Sequence, residues 1–158
     1  MSGVLGDRRA LLADLTRALA PGSPDRVLAV FRLHGLGDLT DRSGTDAGGA
    51  LLEVGAGRLV SGVGPSGRCY RPRRDEWCVL LDGPLTSAIR ALDSVTVELN
   101  ATGGEYGVSV EAGVALLPEE AEDPISALER ADHRVPPEPR TGPRERRTAE
   151  RRSRRGES

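Results

Sequence analysis

Residues 69–81 read CYRPRRDEWCVLL, and the reading of this stretch decides the fold. Two β-prone runs meet at Arg73-Arg74, which predicts a hairpin with the arginines as its turn. That turn sets Arg71 against Glu76, Tyr70 against Trp77 and Cys69 against Cys78, the last as a closely spaced pair. Tyr70 and Trp77 would form a stabilising aromatic pair across the strands. The cysteines carry two readings. One is a redox-sensitive disulfide; the other, favoured in a reducing compartment, is a pair of small apolar thiols.

Upstream, Asp7 can cap a helix whose apolar residues Leu11, Leu12, Leu15, Ala18 and Leu19 recur at helical spacing, and Pro21-Gly22 stops it. Arg26–Leu33 (RVLAVFRL) reads as a buried strand. A loop rich in Gly, Asp and Thr leads to a second helix over Ala47–Val60, weakened by Gly48, Gly49, Gly55 and Gly57. Downstream, Pro84–Leu92 predicts a third helix. Val95–Leu99 alternates like a strand, Asn100–Gly104 makes a turn, and Val108–Leu117 returns as its partner. A last helix opens at Pro124 and loses its pattern at Val135-Pro136-Pro137. The order implies an α+β domain over residues 1–135: one mainly antiparallel sheet with helices on its faces. Residues 136–158, rich in Pro, Arg and Glu, are expected to be a disordered tail.

Charge divides along the same boundary. All 22 basic residues are arginine; the first 135 residues hold 14 of them against 20 acids, and the last 23 hold 8 against 4. A domain of net −6 disfavours a nucleic-acid binder, although the tail keeps +4. One Phe, one Trp and two Tyr give no platform for stacking bases. The apolar runs are too short for a membrane span, and the charged N-terminus is unlike a secretory signal, so a cytoplasmic protein is expected. Two cysteines and two unsuitably spaced histidines, His34 and His133, make no zinc site.

The hairpin is also where a family resemblance begins. Arg71–Leu81 resembles the signature of GGDEF domains, the diguanylate cyclases: R-x-G-G-D/E-E-F followed by an apolar strand. GVLGDRRALLADL is similar to the family's T-G-L-x-N-R-R opening and the helix after it. RLHGLGDLTDRSGTDAGGALL matches D-x-D-x-F-K-x-x-N-D-x-x-G-H-x-x-G-D-x-L-L without a gap. VSVEAGVALLP resembles V-T-V-S-I-G-V-A, and ERAD the start of A-D-x-A-L-Y. The motifs run in order over residues 2–133, and their ordered set is specific.

The resemblance implies a sheet related to the palm of nucleotidyl cyclases. It also implies condensation of two GTP into cyclic di-GMP in an antiparallel dimer, with magnesium held by carboxylates. It places the first metal aspartate at Arg32 and the second aspartate of D-x-D at His34. A fixed cation at a magnesium position repels the metal. The phosphate-contacting lysine falls on Gly37, the guanine-reading asparagine on Thr40 and the aspartate of G-D on Gly49; Asp41 persists. In the signature, Asp75 and Glu76 persist, Phe becomes Trp77, and Arg73 and Arg74 replace the two glycines. Arginines at a turn that needs positive φ should cost conformational energy. They either attract an anion or stand solvated. Gly64-Pro65-Ser66-Gly67 replaces the product-inhibition motif R-x-x-D, and HRVPPEPR replaces the final lysine- and arginine-bearing helix and closing strand.

The expectation is therefore a catalytically inactive GGDEF-like regulatory or protein-interaction module. It would carry no metal and no cofactor, would bind neither GTP nor cyclic di-GMP, and would meet an unidentified protein partner or form a homodimer. One alternative is a residual diguanylate cyclase or GTP-binding domain using the vestigial Asp75 and Glu76. Another is an anion or nucleic-acid binder using Arg73, Arg74 and the tail.

Overall fold

A computed structural model of the chain describes residues 5–137. The expected tail lies outside the described residues, apart from Pro136 and Pro137. Helix α1 (Arg8–Ala18) starts where Asp7 accepts a hydrogen bond from the Ala10 amide, a cap that stabilises a helix by about 1 kcal/mol. Strand β1 (Arg26–His34) follows, then α2 (Leu36–Ser43), α3 (Thr45–Val63), and the hairpin β2 (Gly67–Arg73) and β3 (Glu76–Asp82). Helix α4 (Leu85–Gly104), strand β4 (Ser109–Leu117) and helix α5 (Pro124–His133) complete the order.

The four strands form one antiparallel sheet in the order β2-β3-β1-β4. Side chains alternate along β1, so Val27, Ala29, Phe31 and Leu33 join the core under α3 and α4, while Leu28 and Val30 join the one under α1 and α5. The result is three layers, helices on both faces of an α+β sheet, as the element pattern implied. Phe31 and Trp77 stand in register on β1 and β3, both buried, each worth roughly 2–3 kcal/mol of burial. Trp77 reaches its depth because α3 carries glycine above it: a Cβ on Gly55 would lie 2.5 Å from a Trp77 ring carbon.

Three sequence expectations need correction. Val95–Leu99 is not a strand, and Asn100–Gly104 is not a turn; both lie in the 20-residue α4. Buried Ala88, Leu92, Val95, Leu99 and Gly103 form one continuous helical stripe, and Val97, the middle of the apparent alternation, is 71% exposed. Residues 36–43, read as loop, form α2, anchored by buried Leu36 and Leu39. Gly35 enters that helix at φ +97, and a Cβ there would lie 2.5 Å from the Gly107 carbonyl oxygen, so glycine is required twice over.

The third correction is the hairpin register. The turn falls on Arg74-Asp75, with Arg73 facing Glu76, and a register shift separates Tyr70 from Arg73. Tyr70 faces Cys78, and Cys69 faces Val79. The extra residue in β2 relaxes the connection, and no non-glycine among the described residues takes positive φ. The conformational cost expected of the two arginines is therefore absent. Tyr70 and Trp77 do not pair; they belong to opposite faces of the sheet. Cys69 and Cys78 are free thiols separated by the same alternation, so the disulfide reading falls.

Candidate functional site

The β1–α2 junction and the hairpin tip meet at one end of the sheet. The Asp75 carbonyl accepts a hydrogen bond from the Leu33 amide at 2.9 Å, which continues the β1–β3 ladder into the turn. The two segments line a cleft of about 740 Å³ whose walls include Arg32, His34, Gly37, Thr40, Asp41, Arg74 and Asp75. Residues from two motifs separated along the chain thus converge in space. Gly49 instead lines a neighbouring cleft of about 610 Å³, and Arg74 stands on the wall between the two.

Arg32 is the dominant group. Its register partners are Glu76 on β3 and Glu111 on β4, and its guanidinium forms an ion pair with Asp132 on α5. That partner lies 100 residues away, so no local spacing could have revealed it. Glu76 is half-buried, and burial raises its carboxyl above the ordinary value of 4.5 despite the nearby Arg73, Arg32 and Arg8. Its side chain is directed to the α1 and α5 face, where Cys78 Sγ lies 3.9 Å from Oε1. Asp75 and Glu76 are therefore not a pair aimed at one point: the first lines the cleft and the second does not. Arg73 is exposed beyond the lining.

His34 is the last residue of β1 rather than a loop residue, and its Nε2 is buried without a hydrogen-bond partner. Burial pushes the Cys69 thiol up to about 11 and Cys78 higher still, so both remain protonated and unreactive at neutral pH. Among the described residues no three His, Cys, Asp or Glu side chains converge as a possible metal site, and a guanidinium stands beside Glu76.

The order of these elements, and a cleft shared by the β1–α2 junction and the signature hairpin, agree with the family resemblance. The family model described as diguanylate cyclase, GGDEF domain, matches residues 4–142. The chain belongs to the GGDEF family. Solved GGDEF structures share its fold. The GGDEF domain of DgcB from Caulobacter crescentus, in complex with c-di-GMP, superposes with TM-score 0.72 at 22% identity over 82% of each chain. The GGDEF domain of YfiN (TpbB) from Pseudomonas aeruginosa gives TM-score 0.67 at 28% identity, over 81% of this chain and 80% of that one. The diguanylate cyclase SiaD of Pseudomonas aeruginosa, in complex with its activator SiaC, gives 0.73 at 24% identity, over 82% of this chain and 53% of that one. No curated protein matches the chain. Among the described residues of this GGDEF domain, no helix is long and apolar enough to cross a membrane.

Proposed function

We propose that this GGDEF domain is a catalytically inactive regulatory or protein-interaction module. The observation that carries the reading is Arg32. Where the family pattern has its first metal aspartate, this chain has a cation already engaged with Asp132 and set between Glu76 and Glu111. Magnesium-assisted phosphoryl transfer needs converging carboxylates and a basic group for the triphosphate, and the motif positions for them hold Arg32, His34 and Gly37. The relative SiaD, a diguanylate cyclase, is solved in complex with its activator SiaC, so a protein that carries this fold can engage a protein partner.

The competing reading, a residual diguanylate cyclase, rests on Asp75, which lines the cleft together with Asp41. One experiment decides between them. The full chain is incubated with GTP and magnesium beside an active diguanylate cyclase, while pyrophosphate release and cyclic di-GMP are measured. Calorimetric titrations with GTP and cyclic di-GMP run in parallel. We expect neither turnover nor binding; measurable cyclic di-GMP would establish the competing reading.

A further inference from the structure

The arginines of the described domain sort into two groups. Arg17, Arg26, Arg32, Arg58, Arg68 and Arg134 each have a carboxylate within 4.0 Å. At the hairpin, Arg71, Arg73 and Arg74 have no such partner among the described residues, and all three are exposed. They are nonetheless organised. Arg71 Nη2 donates to the Arg74 carbonyl at 3.2 Å, which draws its guanidinium along the turn. The Arg74 guanidinium reaches over α3, where Nη2 would lie 3.9 Å from a Cβ on Gly48.

Both side chains line the cleft of about 610 Å³ between the N-terminal segment and α3. Leu5, Leu52 and Ala56 supply apolar lining there, and Gly6 and Gly49 add no side chain. The Arg71 amide donates to the Gly6 carbonyl at 2.8 Å and the Gly6 amide to the Cys69 carbonyl at 3.0 Å, so this wall is held by backbone pairing. Two acids also reach the lining, Asp7 and Glu53. The Asp7 carboxylate is engaged in capping α1. The cleft thus combines apolar lining with two guanidinium groups that have no carboxylate partner among the described residues, a chemistry that takes carboxylates by charge-assisted hydrogen bonds.

We infer that this cleft docks a short acidic segment of a protein partner, seating one apolar side chain among Leu5, Leu52 and Ala56 and its flanking carboxylates on Arg71 and Arg74. This rests on reading the domain as a non-enzymatic interaction module, and it names the partner's chemistry. Nucleic acid fits less well. No aromatic side chain lines the cleft for a base to stack on, whereas Leu5, Leu52 and Ala56 suit an aliphatic side chain.

The test is fluorescence anisotropy of the full chain, without nucleotide or magnesium. The probe is a labelled peptide in which one leucine is flanked on each side by glutamates; a serine-for-leucine version and a labelled single-stranded oligonucleotide are the comparators. Saturable binding of the leucine peptide is expected, weaker for the serine version. The double variant Arg71→Ala/Arg74→Ala should weaken it at least about fivefold, because both charge-assisted contacts to the peptide carboxylates are lost. Arg90→Ala, an exposed arginine on α4, should leave it unchanged. The double variant keeps the arginine-rich tail, so equal binding by it would place the contact elsewhere and overturn the inference. Absence of peptide binding, or tighter binding of the oligonucleotide, would overturn it as well. Cyclase turnover in the separate GTP assay would instead overturn the non-enzymatic reading, so the two failures are distinguishable.

Discussion

At Arg32 and Gly55 a single residue type determines what its neighbours can do. Arg32 brings a cation among Glu76, Glu111 and Asp132, and so ties the sheet to α5. The ion pair is partly exposed, so its worth lies in position more than in energy. Gly55 acts by omission, leaving the space that the Trp77 ring fills. Gly55→Ala should improve helix propensity yet destabilise the domain by about 1–3 kcal/mol, because the rigid indole has nowhere to retreat. Thermal denaturation of the two chains checks the sign: a rise in Tm would show that the ring can move. The sequence made Gly55 look like a weakness in α3, and Trp77 like one of an aromatic pair. Both readings missed contacts made across the layers, which no local pattern records.

At the level of elements, β4 is an edge strand, paired in the sheet with β1 alone. Its outward backbone groups are met by side chains and a turn. Asn100 on α4 accepts from the Val110 amide at 2.9 Å and donates to the Val110 carbonyl at 3.0 Å, as a neighbouring strand would. Glu120 accepts from the Leu116 amide at 2.8 Å, and Arg134 donates to the Val114 carbonyl at 2.9 Å. Such plugs blunt an edge that could otherwise pair with another chain. Asn100→Ala should cost about 1–3 kcal/mol by leaving Val110 unsatisfied, and the Val110 amide should lose protection against hydrogen exchange. Unchanged exchange there would rule out the plug. By sequence alone Asn100 begins a turn, because Asn, Thr and Gly-Gly follow turn statistics. What overrode them was the apolar stripe of α4, carried through Leu99 to Gly103.

Across the whole molecule, two carboxyls with opposite shifts make stability depend on pH in opposite directions. Glu120 is lowered from 4.5 to about 2, first by hydrogen bonding from Arg134 and then from the Leu116 amide. Its contribution is present above the unfolded value and is lost as pH falls toward about 2. Glu120→Gln should therefore lower Tm at neutral pH, with the deficit closing below about pH 4.5. Glu76 is raised, chiefly by burial, so the folded state holds its proton longer and stability is lost as pH rises through the raised value. Glu76→Gln should gain on the parent chain as pH rises from about 4 to about 7, measured by urea denaturation. A gap that stays constant with pH would contradict the shift in either case.

Much of this protein could be read from its order of residues. The Asp7 cap, the buried β1 run, the hairpin, the β4 run and the Pro124 helix are local patterns, and local patterns follow from short-range sterics and hydrogen bonding. The motif series also carried the family, because spacing survives where individual side chains have changed. The hairpin register, the length of α4 and the partners of Arg32 were not legible. Each depends on free energy gained between segments distant along the chain: Trp77 against Gly55, the α4 stripe against the sheet, and Arg32 against Asp132. A one-residue change of register costs nothing in local propensity, yet it moves a side chain to the opposite face, and packing between layers alone selects among the possibilities.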